Sequence, residues 1–130
     1  LYYRFFSPVR RARVRKEPLK NLDYNFNMAI GAFFGEPGRE EIIGVCQYFL
    51  DQARNTADVA FVVKDNWQGK GLGKTLFSVM CDIAVSRGVR AFTAEVLAEN
   101  RRAMKILHGS GHDLKTHLSE GIYTIELRLP

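Results

Sequence analysis

No apolar run in this chain approaches the ~18 residues that a membrane-crossing helix needs, and no series of basic, apolar and small residues marks a cleaved leader. The chain therefore reads as soluble and cytoplasmic, with no membrane partner. Cysteine is scarce: Cys46 and Cys81 are the whole supply, with no C-x-x-C spacing. A disulfide framework, a metal site or a redox pair would need more thiols or closer ones. Both are expected to be buried and reduced, and no metal is expected. Repeats, linkers and low-complexity tracts are lacking too. With 130 residues, 46% of them hydrophobic, there is material for one core and not for two, so residues 1–130 read as a single domain. The chain starts at Leu1 and not at a methionine, which fits a piece cut from a longer protein.

Acidic residues are nearly missing from one end. Residues 1–20 hold seven Lys or Arg (Arg4, Arg10, Arg11, Arg13, Arg15, Lys16, Lys20) against Glu17 alone, giving +6, while twelve basic and thirteen acidic residues elsewhere give −1. A basic stretch can bind nucleic acid, but no aromatic residue lies between Arg10 and Lys20 on which a base could stack. The reading taken is a solvated basic face, with steering of an acidic partner or of phosphates as a third use.

What is present is concentrated in residues 57–75, ADVAFVVKDNWQGKGLGKT. Residues 60–63 are apolar without alternation, the pattern of a strand buried on both faces. Gly69, Gly71 and Gly73 then permit a loop whose N–H groups converge on an anion. Residues 74–87 carry Leu76, Phe77, Met80, Ile83 and Ala84 at helical spacing before Gly88, so a helix N-terminus faces the same point. Three phosphate motifs compete for these residues. A Walker loop, G-x-x-x-x-G-K-[ST], finds its end in Gly73, Lys74 and Thr75 but has Gln68 where its first glycine belongs. A dinucleotide fingerprint, G-x-G-x-x-G, starts at Gly69 and Gly71 but has Lys74 as its third glycine. The pattern Gln/Arg-x-x-G-x-Gly/Ala alone is met in full, by Gln68, Gly71 and Gly73; a turn with no ligand is the plainer alternative.

The aromatic residues 1–6 are expected as a strand end or helix start. Strands are expected at 28–34, 42–50 and 57–64, joined by a turn at 35–38 and a hairpin at 51–56. A strand at 90–97 would run parallel to 57–64 through a right-handed crossover. Asn100 is a good N-cap for a helix through Ala103, Met104 and Leu107, and 112–118 with 122–129 would close as a hairpin. The fold class expected is α+β: a mixed sheet with one central parallel pair.

This order and the glycine loop resemble the GNAT acyltransferase superfamily over essentially the whole chain. Asn100, Ala103 and Gly111 also fit its second cofactor motif, N-x-x-A-x-x-L-[Y]-x-x-x-G-F. Within the superfamily, Tyr3-Arg4-Phe5-Phe6, Asp23-Tyr24, Met28-Ala29, Ile43-Gly44-Val45, WQGKGLG at 67–73 and VLAEN at 96–100 look like the acetyltransferase domain of bacterial Pat-type protein lysine acetyltransferases. That domain is often fused to a synthetase-like or a cyclic-nucleotide-binding region, and neither lies within these residues. The resemblance implies a GNAT fold, acetyl-CoA as cosubstrate, and acetylation of a lysine on a protein such as an acyl-CoA synthetase by direct attack in a ternary complex. It implies a cofactor site of Val62, Val63, Gln68, Gly69, Lys70, Gly71, Leu72, Gly73, Lys74, Thr75 and Asn100, with Val62 and Val63 at a strand bulge.

Acetyl transfer to a lysine needs a base, because an amine of pKa ~10.4 is nearly all ammonium at neutral pH. Asp58 stands where protein-acetylating relatives carry a glutamate, and desolvation at the edge of an apolar strand would raise its pKa toward a useful value. Being one methylene shorter, it could act through a water; the plainer alternative is an Asp58 that ends the hairpin and faces solvent. Leu107 occupies the place of the tyrosine that often protonates the leaving thiolate, and His112 that of a phenylalanine. A thiol of pKa ~8.5 leaves tolerably without an acid, so the missing tyrosine does not exclude catalysis. His108, His112 and His117 read as surface or strand residues, Glu95 and Glu99 as unplaced carboxylates, and Trp67 as a lid or packing residue. Two rivals stay open beside the lysine acetyltransferase: acetylation of a small amine, and an acyl-CoA sensor without turnover.

Overall fold

The computed structural model describes residues 2–6 and 27–130; residues 7–26, with most of the basic stretch and the Asp23-Tyr24 pair, lie outside the described residues. Seven strands make one sheet: β1 (Tyr2–Phe6), β2 (Met28–Phe34), β3 (Glu41–Asp51), β4 (Thr56–Val63), β5 (Ala91–Leu97), β6 (Asp113–Ser119) and β7 (Ile122–Arg128), in the order β1-β2-β3-β4-β5-β7-β6. Among the described residues two helices accompany it, α1 (Leu72–Ser86) between β4 and β5 and α2 (Arg101–His108) between β5 and β6. All neighbours are antiparallel except β4 and β5, as the expected crossover requires. No helix among the described residues is long and apolar enough to cross a membrane.

Local chemistry places the ends of these elements. The β2–β3 turn is closed by the Arg39 N–H donating to the Glu36 carbonyl at 2.8 Å. The end of α1 is set by Gly88, whose φ of +79° a side chain would resist, while the N–H groups of Gly88 and Val89 donate to the carbonyls of Val85 and Ala84. At α2, the Asn100 side chain accepts from the Ala103 N–H at 3.1 Å, the cap expected from sequence. The core lies on one face of the sheet. Tyr48 of β3, Phe92 of β5 and Phe77 of α1 form a ring chain with centroids 5.7 and 6.0 Å apart, and Phe61 of β4 joins Phe77 at 5.8 Å. Leu107 of α2, 1% exposed, belongs to the same core.

In β4 the structure corrects the sequence reading. Residues 60–63 are not buried on both faces: Val59 is buried, Phe61 and Val63 are half-buried, and Ala60 and Val62 are exposed, Val62 at 70%. The cause is topological. β4 and β5 pair only through Thr56–Ala91, Ala57–Phe92 and Asp58–Thr93, after which the two strands part. A strand that loses its neighbour halfway shows one face and one edge to whatever enters the gap. The expected bulge at Val62 and Val63 is absent, since β4 stays in continuous register with β3 through Val63; the one register shift in that part of the sheet is at Ala32/Phe33 in β2.

Candidate active site

The parting strands leave the β4 edge without a ladder. The Lys64 N–H donates to the Ile43 carbonyl at 2.9 Å, so by antiparallel alternation Val62 also turns its backbone groups toward β3, while Phe61 and Val63 turn theirs into the gap. The Val63 carbonyl is met there by the Gln68 side chain, whose Nε2 donates to it at 3.0 Å. Gln68 thus takes the place of a β5 residue. Its Oε1 in turn accepts from Nη1 of Arg102 on α2, so one glutamine side chain ties the end of β4 to the second helix.

Between these elements lies a cleft of about 590 Å³, lined by Phe61, Val62 and Val63 of β4, the loop and first turn of α1, and one side of α2. Its phosphate-loop character comes from three glycines with different reasons to be glycine. Gly69 and Gly71 have φ of +77° and +83°, which side chains resist. A Cβ on Gly71 would meet nothing within 4 Å, so the space it faces is open for a ligand. Gly73 is helical and buried; a Cβ there would stand 2.9 Å from Ile106 Cδ1, so its role is the close approach of α2 to α1. The free N–H groups at the α1 start point the positive end of that helix into the cleft. Lys74, Arg102 and Lys105 are the charged side chains of the lining, which contains no carboxylate. Open glycine backbone, a helix N-terminus and cations form a set that suits a phosphate-bearing ligand.

Of the residues expected at the cofactor, Val62, Val63, Gln68, Gly69, Gly71, Gly73, Lys74 and Asn100 line this cleft. Lys70, Leu72 and Thr75 do not. Lys70 sits over the Trp67 ring, 5.4 Å from its centroid, and Trp67 packs on Phe34 at 5.0 Å, which makes Trp67 a packing residue. Leu72 is buried in the core, and the Thr75 hydroxyl donates to the Gly71 carbonyl at 3.0 Å. Arg102, Lys105, Ile106 and Gly109 line the cleft without having been singled out. The signal for them was the helical spacing that follows Asn100, which repeats a face at i, i+3, i+4 and i+7.

Asp58 lies at the point where β4 and β5 separate, on the face of the sheet opposite the core. Its Oδ1 accepts from Thr93 Oγ1, its β5 partner, at 3.3 Å. The residue is exposed, yet partial desolvation of its carboxyl at the strand junction pushes the pKa up, the Thr93 hydrogen bond pulls it down, and the neighbouring Glu95 charge pushes it up again, with a net rise. Glu126, opposite Thr93 across β7, extends the same row. Both cysteines are buried and free; burial raises the Cys81 thiol to about 12 and the Cys46 thiol further, with no thiolate chemistry in reach. Leu107 is sealed in the core, so no hydroxyl stands there. His108 and His117 are exposed and His112 half-buried, in line with surface or strand positions.

Among the described residues the sheet opens between its one parallel pair of strands, beside a glycine loop at a helix N-terminus, which defines the class of α+β folds suited to a phosphate-bearing cosubstrate. The Acetyltransferase (GNAT) family matches residues 2–111, and the chain belongs to that family. It is 32% identical over 112 residues to Acetyltransferase Pat of Mycolicibacterium smegmatis, covering 85% of this chain and 33% of that protein. Among solved structures, the GNAT domain of S. lividans PAT superposes with a TM-score of 0.70 at 27% identity, covering 86% of this chain and 66% of that one. A cAMP-binding acyltransferase from Mycobacterium smegmatis gives a TM-score of 0.74 at 26% identity, covering 99% of this chain and 43% of that one. The chain thus spans about a third of the length of the curated Pat relative that it matches.

Proposed function

We propose that this chain is the catalytic domain of a protein lysine N-acetyltransferase, which moves the acetyl group of acetyl-CoA to a lysine ε-amine of a protein, with an acyl-CoA synthetase as the first acceptor to try. The observation that carries the reading is the position of Asp58: a carboxylate of raised pKa at the last paired residue before β4 and β5 part. The phosphate loop fits the CoA pyrophosphate, and the gap fits its pantetheine arm, which is an amide chain that can pair with the open backbone groups of Phe61 and Val63. With the arm in the gap, the thioester would lie at its head, on the side of Asp58.

The steps follow from the acceptor's chemistry. Asp58 accepts a proton from the lysine ammonium, directly or through a water, and the freed amine attacks the thioester carbonyl carbon. A β4 N–H turned into the gap can stabilise the oxyanion that forms. The C–S bond then breaks, and the thiolate, with a conjugate acid of pKa ~8.5, leaves without a protein acid, as Leu107 requires, and takes up the second proton, which the attacking nitrogen loses on becoming the amide. Asp58 and Glu95 side by side also favour a cationic acceptor.

The test is thiol release from acetyl-CoA with an acyl-CoA synthetase as acceptor, in wild type, Asp58→Ala and Asp58→Glu. Collapse in the alanine variant with acetyl-CoA binding kept, and partial rescue by glutamate, is the expected result; full turnover in Asp58→Ala would remove the base. Binding of acetyl-CoA with no turnover in wild type would instead favour the sensor reading, for which the apolar Leu107 is the specific observation.

A further inference from the structure

The cleft carries more positive charge than a pyrophosphate needs. The loop N–H groups, the α1 N-terminus and Lys74 suit two bridged phosphates. To the same lining α2 adds Arg102 and Lys105, three residues apart and therefore on one face of the helix. Among the described residues neither has an ion-pair partner, and the cleft lining holds no carboxylate to neutralise them. Arg102 is held in place: Nη1 donates to Gln68, and Nη2 lies 3.8 Å from where a Gly69 Cβ would be, over the loop. A held guanidinium at the edge of the glycine loop, with an ammonium three residues further along the same helix face, adds two cations to the loop and Lys74.

Resting on the acyl-CoA reading above, we propose that Arg102 and Lys105 bind the phosphate monoester on the ribose of CoA, so that the protein distinguishes CoA from dephospho-CoA. The monoester carries up to two negative charges at neutral pH, which suits two cations on one helix face beside the loop. Gln68 links the subsites. By fixing Arg102 and the Val63 carbonyl together, it sets the distance between the monoester site and the head of the gap.

The experiment is calorimetric titration of the protein with CoA and with dephospho-CoA at low salt, repeated for Lys105→Gln, Arg102→Gln and Arg102→Lys. Wild type is expected to bind CoA at least tenfold more tightly than dephospho-CoA, the scale of about one charge-assisted hydrogen bond. The ratio of the two affinities should fall toward one in Lys105→Gln and Arg102→Gln and be partly kept in Arg102→Lys. Equal affinity of wild type for both ligands, or an unchanged ratio in both glutamine variants, would overturn the subsite while leaving acyl-CoA binding intact. Failure of wild type to bind either ligand would overturn the acyl-CoA reading and the subsite with it.

Discussion

At the scale of single residues, Asp58 is set by two neighbours that pull in opposite directions, and each can be removed. Thr93 stabilises the carboxylate by donating a hydrogen bond, and Glu95 destabilises it by like charge. As the proposed base, Asp58 must be ionised to work, so kcat/KM should fall as pH drops through its raised pKa. Thr93→Val should move that acid limb to higher pH and Glu95→Gln to lower pH; limbs that stay put in both variants would separate the limb from Asp58. Asp58→Ala is expected to lower kcat by about 10²- to 10⁴-fold, the usual share of a general base. Stability runs the other way. A carboxyl whose folded pKa is raised is better protonated in the fold, so its stabilising share is full at low pH and is lost as pH rises through that pKa. Asp58→Asn should therefore melt higher than wild type at neutral pH, and the advantage should vanish in acid. The thiols give a second check at this scale: Cys81 at about 12 and the fully buried Cys46 should both ignore an aromatic disulfide reagent until guanidinium unfolds the chain. That silence also leaves released CoA as the only fast thiol in the assay.

At the scale of elements, the loop and the two helices depend on glycines that sequence spacing alone cannot tell apart. Gly71→Ala puts a methyl into open space at a positive φ, which costs about 1 kcal/mol of fold stability and intrudes on the ligand. Gly73→Ala meets only the Cδ1 end of the Ile106 side chain at 2.9 Å, which can turn aside, and it replaces glycine by a better helix former. The expected contrast is a large loss of CoA affinity with a fall in Tm for Gly71→Ala, and little change in Tm for Gly73→Ala; calorimetric titration and thermal melts on the two variants decide it. The sequence was informative where the cause is local: Gly88 ending α1, Asn100 capping α2 and the strand at residues 28–34 were all legible, because a left-handed glycine, a cap and an apolar run act within a few residues. It was uninformative where the cause is a neighbour distant in the chain. Thr75 and Lys70 sit inside the motif spacing, yet their side chains turn to the Gly71 carbonyl and to Trp67, and nothing in a linear pattern records that rotation.

At the scale of the whole molecule, the fold places a weak seam at the candidate site. The half built on β1 to β4 and the half built on β5 to β7 share one sheet, but the strands that join them pair over three residues only. That seam was invisible in the sequence, because the run at 60–63 has the composition of a strand covered on both sides, and only the divergence of β5 exposes it. A ligand whose arm lies in the gap supplies the hydrogen bonds that β5 withholds, so binding should stabilise the molecule as a whole rather than the loop alone. At a hundredfold excess over Kd, such binding is worth about 2.7 kcal/mol, or roughly 10 °C in Tm for a chain of this length. Acetyl-CoA should reach that shift and also slow amide exchange at Phe61 and Val63, the two residues that face the gap. The nucleotide part of CoA, lacking the pantetheine arm, should leave those two amides fast even at concentrations that saturate the loop. Equal protection of both amides by the arm-less fragment would mean that the loop closes the seam by itself, and that the splayed strands are not where the acyl chain runs.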